Sequence, residues 1–145
     1  MNDSKVVAVC LAILAASLLV VGVVSDTILR HIIQIIPMLF VLGLTWQRPS
    51  VGAYMALPIF GFWLFIIVML WLFLLGVSDL ADGTYSNPGI ALTFIIAATC
   101  ALGILKSIQI GKPLNWRYRT TLSIIGLASQ VAFIAISFQP AFAYD

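Results

Sequence analysis

Apolar residues run along this chain in five long stretches with short polar breaks between them. The central one, Tyr54 to Gly76, contains no Asp, Glu, Lys, Arg or His over its 23 residues. A helix of that length, rising about 1.5 Å per residue, covers about 34 Å, more than the roughly 30 Å of hydrocarbon in a bilayer. Similar stretches run over Val6–Val24, Ile28–Trp46, Pro88–Ile108 and Thr120–Phe138. The pattern predicts an all-α membrane protein, a bundle of five transmembrane helices over residues 6–24, 28–46, 54–76, 88–108 and 120–138. Residues 1–145 then form a single transmembrane domain.

The breaks carry their own signals. Ser25, Asp26 and Thr27 are all good helix N-caps and predict a tight hairpin between the first two spans. Trp46, Gln47, Arg48, Pro49 and Ser50 read as the second connection, with Trp46 at the interfacial level. A polar stretch, Val77 to Ser86, holds Asp79 and Asp82 and leads through Asn87-Pro88-Gly89 into the fourth span. Within the spans, Ala8, Ala12 and Ala16 form a small-residue stripe expected to let another helix approach closely. Pro37 predicts a kink. Phe60, Trp63 and Trp71 share an arc of about 80°, expected to face the bundle interior or a partner, whereas Phe62, Phe65 and Phe73 are expected to face lipid.

Composition removes the soluble alternatives. Hydrophobic residues make up 63% of the 145, and charged residues 8%, against roughly 25% in a soluble domain. Lys5 before a long apolar run resembles a signal peptide, but Val6–Val24 is longer than an h-region and no A-x-A-like site closes it. It is expected to persist as a helix. Cys10 and Cys100 each lie in an apolar run without a C-x-x-C pattern, as buried small hydrophobes do.

Charge orients the bundle. Five spans put Lys5, Arg48, Lys106, Lys112, Arg117 and Arg119 on the side of the N-terminus with Asp3, and Arg30, Asp26, Asp79, Asp82 and Asp145 on the other. The positive-inside rule then predicts a cytoplasmic N-terminus and a periplasmic or extracellular C-terminus. A net charge of +2 is too small to imply nucleic acid.

Two groups of residues are candidates for chemistry. Asp26, Arg30 and Gln34 recur every four residues, one helix face, with His31 beside them. Ser123, Gly126, Gln130 and Ser137 share a face of the fifth span. Gln34 and Gln130 lie at comparable depths and are expected to meet, so Asp26, Arg30, His31, Gln34 and Gln130 form a candidate binding site opening outward. The competing reading makes Asp26 a cap and Arg30 a headgroup anchor. Lys112, Trp116, Arg117 and Arg119 are candidates for contact with headgroups or a partner.

No catalytic residue, metal site or cofactor is nominated. His31 with Asp26, Asp79 and Asp82 matches no ligand spacing, and one histidine permits haem ligation only by two copies across a dimer or by a His/Met pair with Met38 or Met69, which no spacing nominates. Neither midspan ionisable groups for ion coupling nor a G-x-S-x-G elbow occurs. The sequence therefore points to a non-enzymatic, multi-pass protein of a bacterial-type inner membrane, an accessory or structural subunit beside other membrane subunits or its own copies. The alternative is a small-molecule, lipid or quinone-binding protein or transporter using the outward-facing pocket.

Overall fold

The computed structural model describes residues 2–77, 87–110, 114–139 and 142. Its helices are α1 (Asp3–Val24), α2 (Ile28–Gln47), α3 (Pro49–Leu74), α4 (Asn87–Gln109) and α5 (Trp116–Ser137). All five are long and apolar enough to cross a membrane. Asp79, Asp82, Lys112 and Asp145 lie outside the described residues.

Contacts at the helix ends fix their directions. The starts of α3 and α5 meet where Ser123 Oγ donates to the Tyr54 carbonyl at 3.1 Å. The start of α1 meets the finish of α4 through the Asp3–Lys106 ion pair at 3.0 Å. At the opposite end the Trp71 indole donates to Thr93 Oγ1 at 2.8 Å, joining the finish of α3 to the start of α4. Successive helices thus alternate in direction, and α1, α3 and α5 begin at one end of the bundle. Helices α1 to α4 form an up-and-down four-helix bundle, and α5 lies in the groove between α2 and α3.

Buried along α1 are Val7, Leu11, Leu14 and Leu18, a four-three-four spacing that keeps large side chains on one face. They meet Met38 and Val41 of α2, Ile59 and Phe60 of α3, and Ile96 and Cys100 of α4. The expected alanine stripe is not this seam: Ala8 is buried, but Ala12 and Ala16 are exposed. Because lipid is as apolar as leucine, the inward face is selected by the contact area that large side chains supply.

The aromatic arc of α3 does turn inward, with Phe60 fully buried, Trp63 buried and Trp71 half-buried. Phe65 is exposed, as expected. Phe62 and Phe73 are half-buried rather than exposed, and Phe62 has a role described below.

Helix ends depart from the expected boundaries for local reasons. The second connection shrinks to Arg48, which caps both α2 and α3. Pro49 occupies the first turn of α3, where its fixed φ suits the helix and its missing N–H is not needed. Helix α1 ends in a Schellman turn: Thr27 N–H donates to the Gly22 carbonyl at 2.8 Å while Asp26 takes φ 52°. The same turn closes α3, with Gly76 at φ 71° and Val77 N–H donating to the Leu72 carbonyl at 2.9 Å.

Candidate functional site

Thr27, Arg30, His31 and Gln34 lie three or four residues apart and so share one face of α2. Opposite them stand Phe62, Trp63, Ile66, Met69 and Leu70 of α3, with Ile134 and Phe138 at the finish of α5. Between these walls is a cavity of ≈ 440 Å³ at the end of the bundle where α3 and α5 finish. One wall is polar and the other apolar and aromatic.

Each polar group is held in place. The Arg30 guanidinium lies 5.4 Å from the centroid of the Phe138 ring, and its Nε donates to the Phe142 carbonyl at 3.3 Å. A cation over an aromatic face gains about 0.5–2 kcal/mol, depending on its desolvation. His31 Nδ1 is 3.0 Å from the Thr27 carbonyl. A carbonyl only accepts, so Nδ1 carries the proton and Nε2 of the neutral ring is left as an acceptor.

Gln34 and Gln130 meet. The Gln34 amide donates to Ser137 Oγ at 2.9 Å, and the Gln130 amide donates to the Gln34 backbone carbonyl at 3.2 Å. Pro37 cannot donate to the carbonyl four residues earlier and opens the α2 ladder next to that point. The face of α5 identified from sequence packs against α2 and α3. Ser123 bonds to Tyr54, Gly126 lies against the Met55 carbonyl, Gln130 bonds to Gln34 and Ser137 accepts from Gln34.

Of the five candidate binding residues, the fold brings Arg30, His31 and Gln34 to the cavity wall. Gln130 is fully buried outside the lining and positions Gln34 from behind. Asp26 is a correction: it lies before α2 begins, is exposed, and makes no ion pair with Arg30. Its φ of 52° serves the turn that ends α1, which takes it off the helical face on which four-residue spacing would have aligned it.

At the other end of the bundle Trp116 and Arg117 are exposed. Arg119 instead turns inward, donating from Nε to Tyr54 Oη at 2.6 Å with its guanidinium 4.9 Å from the ring centroid. It ties α5 to α3 rather than extending toward headgroups.

Sequence reasoning missed the α3 wall. Trp63 is 7% exposed and lines the cavity with part of its ring, while its indole Nε1–H is enclosed and has no acceptor among the described residues. A buried donor left unmade costs about 1–3 kcal/mol. Helical spacing alone indicated that Trp63 faces inward, but nothing in the spacing could indicate that its N–H would lack a partner.

No family model, curated protein or solved structure matches this chain.

Proposed function

We propose that the protein binds a small amphipathic molecule in the cavity between α2, α3 and α5, without catalysing a reaction on it. The supporting observation is the cavity's division into a polar wall, Arg30, His31 and Gln34, and an apolar wall, Phe62 to Leu70. A molecule with a polar head and an apolar body matches both walls at once, and ≈ 440 Å³ lies within the usual size of ligand sites. The protein sits in a bacterial-type inner membrane with its N-terminus cytoplasmic and its C-terminus outside, so the cavity lies in the outer half. That orientation is supported by Lys5, Arg48, Lys106, Arg117 and Arg119 at one end of the bundle and Arg30 at the other.

Mass spectrometry of molecules that co-purify in mild detergent tests the reading. Arg30→Ala and Gln34→Ala should lower retention of a bound amphiphile at normal expression. If Arg30→Lys and both alanine variants retain everything the wild type does, Arg30 is only an interfacial anchor and the reading fails.

A second reading, an accessory subunit of a larger membrane assembly, is favoured by the exposure of Ala12 and Ala16 on the outside of α1. Small residues there let a further helix come close. Elution as a monomer or small homo-oligomer from a mild-detergent pull-down would remove that reading.

A further inference from the structure

Resting on the reading that the cavity holds an amphiphile, we infer that the amphiphile is an anionic lipid, its carboxylate or phosphate head against Arg30 and its acyl chain leaving through the gap between α3 and α5. The charge balance of the cavity carries the choice of head. Among the described residues Arg30 is the single cation in the lining, and no acid joins it there. The only ion pair among those residues, Asp3–Lys106, lies at the other end of the bundle. The Phe138 ring and the Phe142 carbonyl hold the guanidinium in place without cancelling its charge, and its terminal nitrogens make no hydrogen bond among the described residues.

Arg30 also stands in the first turn of α2, where the helix's partial positive charge adds to its own, and no acid shares that turn. Thr27, His31 and Gln34 beside it are neutral polar groups. A carboxylate or phosphate accepts from both terminal nitrogens of a guanidinium at once, and the pairing strengthens where an apolar wall keeps water back. A zwitterionic head brings the same phosphate together with an ammonium, for which this wall has no acid. A neutral head leaves the charge uncompensated.

The route of the chain follows from how the three helices close. The seam between α2 and α5 is tied at the level of the cavity by the Gln34–Ser137 and Gln130–Gln34 bonds. Helices α3 and α5 are tied only at their starts, where Arg119 and Ser123 both bond to Tyr54, and no hydrogen bond joins them beside the cavity among the described residues. On the two sides of that gap Ile66 and Phe138 line the cavity and are 38% and 62% exposed, so its apolar wall runs on to the lipid-facing surface. An arginine anchored among bulk headgroups would need neither a cavity behind it nor a sideways opening.

Photolabelling of the full chain in phosphatidylcholine nanodiscs tests this with three probes that carry a diazirine in the acyl chain: a phosphatidylglycerol, a fatty acid and a phosphatidylcholine, at equal low mole fraction. Adducts on Phe62, Leu70 and Ile134 report the cavity, and adducts on the exposed Phe65 and Val68 of α3 report surrounding lipid. At least one anionic probe should label the cavity positions roughly tenfold more than the phosphatidylcholine does, while all three label Phe65 and Val68 alike. Phosphatidylglycerol alone identifies a phospholipid as the source of the head, the fatty acid alone a free carboxylate, and either result supports the inference. Arg30→Gln should reduce the anionic labelling to the phosphatidylcholine level. Thr27→Asp keeps a strong N-cap residue and sets a negative charge three residues before Arg30, so it should do the same without loss of melting temperature and decides the matter whether or not Arg30→Gln folds. Arg117→Gln, at the opposite end, should change nothing. A preference that survives Thr27→Asp or a folded Arg30→Gln, or equal cavity labelling by all three probes, would overturn the anionic lipid while leaving an amphiphile in the cavity. Labelling confined to Phe65 and Val68 would overturn the amphiphile reading as well.

Discussion

Helices α3 and α5 run in the same direction, and their two ends meet on different terms. At their starts the backbones touch: Gly126 lies against the Met55 carbonyl, Ser123 bonds to Tyr54, and Arg119 covers the Tyr54 ring. At their finishes Phe62, Ile66 and Leu70 face Ile134 and Phe138 across the cavity. The difference lies in the side chains at each level. One missing Cβ lets α5 close onto α3, whereas bulky groups on both helices leave a gap, which α2 borders with its polar face. The pair acts as a wedge, closed at the basic end and open at the other.

The largest expected effect concerns the sides of the membrane on which the wedge's two ends lie. A reporter active only outside the cytoplasm should work when fused after Asp145 and fail after Arg48 or Lys112. Activity at Lys112 would break the assignment of the closed end to the cytoplasm. Next, Gly126→Leu should force α5 off the Met55 carbonyl, costing about 3 kcal/mol or more because neither backbone can yield. Unfolding in detergent would measure it, and a loss below about 1 kcal/mol would show that the closed end is not set by that glycine.

A smaller effect belongs to the hydrogen bonds behind the open end. Gln34→Leu removes the bond to Ser137 and should cost about 1 kcal/mol, as interhelical bonds in membranes do. Gln130→Leu should cost less, since it also removes a buried Oε1 that has no partner among the described residues. The reverse order would mean that Gln130 is the principal tie. Smallest is Asp26→Gly, expected to stabilise the α1–α2 hairpin by up to about 1 kcal/mol because glycine adopts positive φ without strain. If Asp26 instead supports Arg30, that change would reduce ligand retention.

The five helices were legible because each apolar run, at 19 residues or more, is about as long as the bilayer hydrocarbon is thick, a signal that needs no knowledge of neighbours. The meeting of Gln34 with Gln130 was legible as well, since a glutamine amide in hydrocarbon requires a partner and depth can be counted along two spans. Which face of α1 turns inward was not. Nearly every residue of α1 is apolar, so periodicity offers little contrast, and the alanine stripe gives no sign of the leucine seam that the bundle uses. Asp26 misled for another reason: four-residue spacing carries meaning only inside one helix, and the boundary between α1 and α2 falls across it. The α3 wall depends on how far α5 stands from it, a distance that no single span encodes.

Arg48 joins α2 to α3 by itself, and just beyond it a Cβ on Gly52 would collide with the Thr45 backbone. The two helices therefore behave as the arms of a pair of tongs sharing one stiff pivot, with the cavity at their tips. Arg30 is 18 residues from that pivot, a lever of about 27 Å, so opening the joint by about 5° would spread the tips by roughly 2 Å. A single added methyl in Gly52→Ala, remote from every lining residue, should therefore loosen what the cavity holds, measurable as weaker retention of the co-purifying amphiphile. Unchanged retention with normal folding would show that the tips are fixed by α5 and not by the pivot.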